Sequence, residues 1–167
     1  MKNMIKYSAL LTLISLSIAC TTREKTPTYT ATLDGKNEVP PVMTQASGFA
    51  EFWLSDDTTD LRYKLTVHNL QDVIMAHLHL GAPGTNGEHI AWLYPPEPPE
   101  KEKPGLTNGI LAEGTLTSAN LIDTMQGQSI KDLVMKINQA DIYVNVHTKP
   151  HPDGELRGTV HKTKEGQ

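Results

Sequence analysis

The sequence predicts an all-β domain, an antiparallel, Greek-key-like β-sandwich of about eight strands with one short helical connection. Three observations predict it. Short segments along the chain alternate apolar and polar side chains, as a strand with one buried face requires. Turn-forming residues fall between those segments, drawn from Gly, Pro, Asn and Asp, with 12 glycines and 11 prolines in the chain. A single segment, near residue 130, carries apolar residues at helical spacing instead.

The elements follow in chain order. Lys2 and Lys6 form a basic start, and Ala9 to Ala19 is an apolar run broken only by Thr and Ser. At about 11 residues, that run falls well short of the roughly 20 that span a bilayer as a helix. A basic start, a short apolar run and small residues before a cleavage point make a signal peptide. Leu16-Ser17-Ile18-Ala19-Cys20 resembles the bacterial lipobox, with Ser17 where that pattern usually has an aliphatic residue. The expectation is a signal peptide over 1–19 and a lipidated Cys20 at the head of a polar tether, 20–28. That makes the membrane a partner through the N-terminal lipid, in the cell envelope. Thr21, not Asp, follows the cysteine, which in a Gram-negative cell points to the outer membrane.

Cys20 is the only cysteine, so no disulfide is expected and the core must hold the fold unaided. The formal charge of the whole chain is −4, and losing Lys2 and Lys6 makes the remainder more acidic. An acidic chain without basic runs argues against a nucleic-acid partner.

From Tyr29 the strand pattern begins. Its clearest stretch is Leu61 to His68, where Leu61, Tyr63, Leu65 and Val67 face one way and Arg62, Lys64, Thr66 and His68 the other. Shorter candidates are Tyr29–Leu33, Gly48–Leu54, Ile74–Leu80, His89–Tyr94, Ile110–Leu116, Ile142–Thr148 and Glu155–His161. Ser129 to Ile137 reads as the helix, with Ile130, Leu133, Val134 and Ile137 on one face and Ser129 as N-cap. A turn of helix is also expected to begin at Ser118. Tyr94 to Gly105 (YPPEPPEKEKPG) is rich in proline and charge and is expected to form an exposed loop outside any sheet.

Two of the seven histidines stand at an informative spacing. Ala76, Leu78 and Leu80 share a strand face with Ile74, which leaves His77 and His79 together on the other. Residues two apart in a strand are roughly 6 to 7 Å apart, close enough for two imidazoles to close on one ion. In Ile142–Thr148, Val144 and Val146 face one way while Tyr143, Asn145 and His147 face the other. If these strands are neighbours, His77, His79 and His147 converge outside the core. Neutral imidazoles suit copper or zinc. His89 and His151 could enlarge such a site. The plainer alternative is that these rings bond only to nearby turns.

Several stretches resemble the CHRD domain, a module named for its repeats in chordin and also found in bacterial exported proteins. They are Gly35–Val42 (GKNEVPPV), Ala46–Leu54 (ASGFAEFWL), Leu61–Leu70 (LRYKLTVHNL), Ala76–Gly87 (AHLHLGAPGTNG), Gly114–Leu121 (GTLTSANL) and Tyr143–Val160 (YVNVHTKPHPDGELRGTV). The resemblance places a CHRD-like β domain at 29–162, with a flexible tail at 163–167, and implies an all-β extracellular module. It implies no settled activity. The chain departs from the family at Glu88-His89-Ile90-Ala91-Trp92, where small aliphatic residues are usual, and in the proline-rich loop. A looser resemblance is to copper-zinc superoxide dismutases, whose His-x-His and Val-His strands bind copper. By that analogy His77, His79 and His147 would be ligands, but the disulfide cysteines and a zinc-loop segment are missing.

Other chemistries find less support. The chain has no Gly-x-Ser-x-Gly elbow and no phosphate-binding glycine loop. A lipidated Cys20 is no nucleophile. Glu97, Glu100 and Glu102 read as solvated, Trp53 and Trp92 as core or rim, and Glu155 and Arg157 as a surface ion pair. The expected function is therefore that of a lipid-anchored extracytoplasmic binding module without established catalysis, whose partner is a protein, a glycan or a metal. The alternative is a copper- or zinc-binding envelope protein using His77, His79 and His147, with dismutase-like reactivity.

Overall fold

The computed structural model describes residues 25–99 and 101–164. The expected signal peptide, Cys20 and the first part of the tether lie outside these residues. Among the described residues the strands are β1 (Tyr29–Asp34), β2 (Ser47–Leu54), β3 (Leu61–Leu80), β4 (Glu88–Tyr94), β5 (Lys103–Leu116), β6 (Ile142–Thr148), β7 (Leu156–Thr159) and β8 (His161–Lys162), with one α-helix, α1 (Ile130–Asn138), before β6. Every strand pairing is antiparallel. The order is β2-β1-β7-β6-β3-β4, and because β2 also pairs with β3 the sheet closes on itself. β5 lies along β3, and β8 along β1. The all-β expectation holds, in the form of a closed, barrel-like core.

Closure depends on β3. Its first part, Leu61 to His68, pairs with β2, and its last part, Val73 to Leu80, pairs with β6 and β4. The sequence reads as two strands here, 61–68 and 74–80, whereas the structure joins them into one strand of 20 residues. The break in pattern at 69–72 is a bend. Asn69 (φ 54°) and Asp72 (φ 48°) take left-handed backbone, which short polar side chains tolerate best after glycine. Extra residues in a ladder bend the strand and increase its twist. The gaps are patched by polar side chains: Asn69 N–H donates to Asn108 Oδ1 (2.9 Å), and Gly105 N–H donates to Asp72 Oδ1 (2.6 Å).

The bend also shifts which residues face inward. Leu61, Tyr63, Leu65 and Val67 are buried as expected, but Val73, not Ile74, is fully buried beyond the bend, and Ile74 is only half-buried. A register irregularity between Val73 and Met75 reverses the parity before Ala76 and Leu78 resume the core face. The proline-rich loop is shorter than expected. Lys103 already pairs with Val73, and Lys101 N–H donates to Ile74 O (3.1 Å). Pro104 is tolerated in β5 because an outer strand has an edge that needs no amide donor.

α1 forms where its spacing predicts. Ser129 accepts from Asp132 N–H, while Asp132 Oδ2 accepts from Ser129 N–H (2.9 Å), so each caps the other. Ile130, Leu133 and Ile137 are buried. The Ser118 turn is a short 3-10 helix over Ser118–Asn120. β6 is buried along its whole length. Ile142, Val144 and Val146 belong to the aliphatic core, so Tyr143, Asn145 and His147 must be covered from the other side. Segments around Glu38, Gly87 and Pro152 supply that cover.

Candidate metal centre

Two adjacent strands bring the histidines together. In β3, Ala76 and Leu78 are fully buried in the core, which turns His77 and His79 to the opposite face. In β6 the residues opposite Met75, His77 and His79 are His147, Asn145 and Tyr143. His147 is therefore diagonal to His77. Their facing nitrogens, His77 Nδ1 and His147 Nε2, lie 3.4 Å apart, and one nitrogen from each of His77, His79 and His147 lies within 4.8 Å of the others. The structure thus brings the three sequence-predicted residues into one group. Two of them are closed to solvent, His77 at 4% and His147 at 6% exposed, while His79 is half-buried.

Backbone carbonyls fix two of the rings. His79 Nδ1 lies 2.9 Å from Gly87 O, and His147 Nδ1 lies 2.9 Å from Pro152 O. A carbonyl only accepts, so each Nδ1 carries the hydrogen and each neutral ring keeps its lone pair on Nε2. His79 Nε2 is buried without a hydrogen-bond partner, as is His77 Nε2. Burial pushes His77 down to about 2 and His79 to about 4, the Gly87 carbonyl opposing the shift of His79. His147 is also lowered, chiefly by burial, with the Pro152 carbonyl working against it. All three rings are therefore neutral near pH 7, the state in which imidazole binds a metal.

The supporting layer was not visible in the sequence. Tyr143 stacks on His79 at 4.9 Å, 16° from parallel, and Arg157 lies over the Tyr143 ring at 3.6 Å. Arg157 donates to Thr85 O and Asn86 Oδ1, tying the 81–87 turn to the sheet. Gly87 bridges the two rings, since its N–H donates to the Tyr143 hydroxyl (3.0 Å) and its carbonyl accepts from His79. A Cβ there would stand 1.8 Å from Leu80 O, so only glycine fits. Trp92 meets His77 edge to face at 4.3 Å. Beside this group Glu38, 5% exposed, accepts from Asn145 Nδ2 through both oxygens (3.0 and 3.1 Å). Burial raises Glu38 to about 7 against the pull of Asn145 and Arg157.

Residues 29–160 match the family described as the CHRD domain. The chain belongs to the CHRD-domain family. No curated protein and no solved structure matches it. In this CHRD domain the Ala76–Gly87 block supplies His77, His79 and the Gly87 carbonyl, and the block from Tyr143 supplies His147, its Pro152 partner and Arg157.

The remaining sequence-predicted residues divide. His89 lies beside the group, its ring 5.0 Å from His77 and 6.2 Å from His79. His151 is outside the group of three and lines a cleft with Glu38, Pro40, Pro152 and Gly154. Cys20 lies outside the described residues. Glu155 and Arg157 are not a surface ion pair, because both are buried and each has other partners. Glu155 accepts from the hydroxyls of Thr44 (2.7 Å) and Thr148 (2.6 Å). Side-chain alternation alone could not show that loops fold over this face. Arg157 is committed to Tyr143 and the 81–87 turn.

Proposed function

We propose that this CHRD domain is a metal-binding module of the cell envelope that holds copper or zinc through His77, His79 and His147. Of the protein, glycan and metal partners left open by the sequence, a metal has the strongest support. One observation carries the reading: three neutral imidazoles, two buried and one half-buried, turn nitrogens toward one another, and two of them are oriented by backbone carbonyls. A tetrahedral ion with metal–nitrogen distances of about 2.0–2.1 Å has nitrogens about 3.3–3.4 Å apart along each edge. The His77–His147 separation of 3.4 Å already meets that value. His79, within 4.8 Å of the other two, needs to close by at most about 1.5 Å, which torsion about its side-chain bonds can supply. A metal would also give the buried, unbonded His79 Nε2 a partner, which buried polar atoms normally have. Carbonyl-bound Nδ1–H groups are the usual support of a metal-binding imidazole.

The test is a titration of the chain from Thr21 onward with zinc and copper against a chromophoric chelator. One ion should bind per chain, and binding should be lost in the double variant His77→Ala, His79→Ala. Sub-stoichiometric binding, or binding indifferent to the double substitution, removes the reading.

The proposed place in the envelope rests on the lipobox-like Leu16–Cys20 and the polar residues after it. Cells expressing the full chain should incorporate labelled palmitate into it, and Cys20→Ser should abolish the label. Equal labelling of both would refute the anchor.

A further inference from the structure

We infer that His89 is a fourth ligand that closes over an ion held by His77, His79 and His147, so that the site carries metal and does not catalyse on it. This rests on the metal reading above.

The strand register supplies the first argument. His77 of β3 stands opposite Trp92 of β4, and Leu78 opposite Ala91. Strict alternation would then place Ile90 opposite His79. The ladder instead has an irregularity between Leu78 and His79, and His89 takes that position. Ile90 and Ala91 are consecutively buried in the core as a result. The extra residue thus keeps an isoleucine out of the polar face and puts an imidazole in its place, which is what bulges do beside functional sites.

Distance supplies the second. An imidazole bound at about 2.0–2.1 Å has its ring centre about 3.2 Å from the ion, and tetrahedral directions then separate ring centres by roughly 5.2 Å. The three central rings are 5.2, 5.6 and 5.9 Å apart. His89 is 5.0 Å from His77, close to that spacing, and 6.2 Å from His79, about 1 Å beyond it, so its ring must swing inward to bind.

Exposure and charge supply the third. His77 and His147 are buried, whereas the His89 side chain is 42% exposed, with Nε2 3.6 Å from Asp123 Oδ2. Asp123 is held in reach by the turn it begins, since the preceding Ile122 N–H donates to Ile90 O of β4 (2.9 Å). An exposed carboxylate beside an exposed imidazole attracts a cation from solvent. The same pair gives His89 a resting partner when no ion is bound. A closed set of four protein ligands leaves no position for a substrate, unlike a catalytic site.

Cobalt(II), whose visible spectrum reports coordination, is the probe, with azide as the competing ligand. The full chain should bind one cobalt, and azide should leave its spectrum unchanged. His89→Ala and His89→Gln should still bind one cobalt, at least about tenfold more weakly, and azide should now shift the band. Azide-sensitive wild-type protein, or unchanged affinity in both His89 variants, overturns the inference and leaves the three-histidine site standing. No cobalt bound by the wild type overturns both.

Discussion

Zinc should raise the thermal midpoint of this domain by roughly 10 °C, and His147→Ala should abolish the rise. A ligand that binds only the folded state stabilises it by about 2.7 kcal/mol when free at 100 times its dissociation constant. For a domain of this size each kcal/mol moves the midpoint by roughly 3–5 °C. The effect is specific because its ligands come from different strands: His77 and His79 from β3, His147 from β6. Unfolding separates β3 from β6 and scatters the site. The measurement is the midpoint of each protein with and without zinc, so any cost of His147→Ala to the metal-free fold cancels. An equal rise in both proteins would exclude His147 as a ligand, and no rise in the wild type would count against the site itself.

Acidification should destabilise the metal-free domain. Between pH 6.5 and 4 the unfolded chain protonates its histidines, while the fold keeps His77 and His79 neutral because burial has lowered them to about 2 and about 4. The unfolded state then binds more protons, so stability is full above pH 6.5 and falls as pH falls. Each such group contributes about 1.4 kcal/mol per pH unit. His147, also lowered, adds in the same direction. Glu38 opposes them. Raised from 4.5 to about 7, it keeps its proton in the fold where the unfolded carboxyl has lost it, so its contribution is greatest at low pH and is lost as pH rises toward 7. At least two groups act against one, and the net loss from pH 6.5 to 4 is on the order of 3 kcal/mol. Urea unfolding at the two pH values measures it. A stability that is flat or increases on acidification would show that the histidines are protonated or hydrated in the fold.

Much of this was legible in the residues because strand alternation is local. Leu61, Tyr63, Leu65 and Val67 announce a half-buried strand, Ser129 announces a helix start, and the parity of Ala76 and Leu78 turns His77 and His79 to the other face. His147 follows from the same rule applied to Val144 and Val146. Alternation fails where the ladder is irregular. Ile74 breaks its parity at one irregularity and Ile90 at another, and only the partner strand determines where those occur. The join of 61–68 to 74–80 is not legible locally, because Asn69 and Asp72 read as turn residues, although here they bend one strand.

The sequence by itself determined the class of fold, the family and which side chains share a strand face, since these follow from nearest-neighbour pattern and motif. Only the tertiary structure decided that β3 and β6 are neighbours, that His77 and His147 stand within 3.4 Å, and that the face is buried under Gly87, Pro152 and Glu38. The reason is physical. Cover, and the desolvation that keeps the imidazoles neutral, come from loops distant in the chain, and their placement depends on how the whole sheet closes.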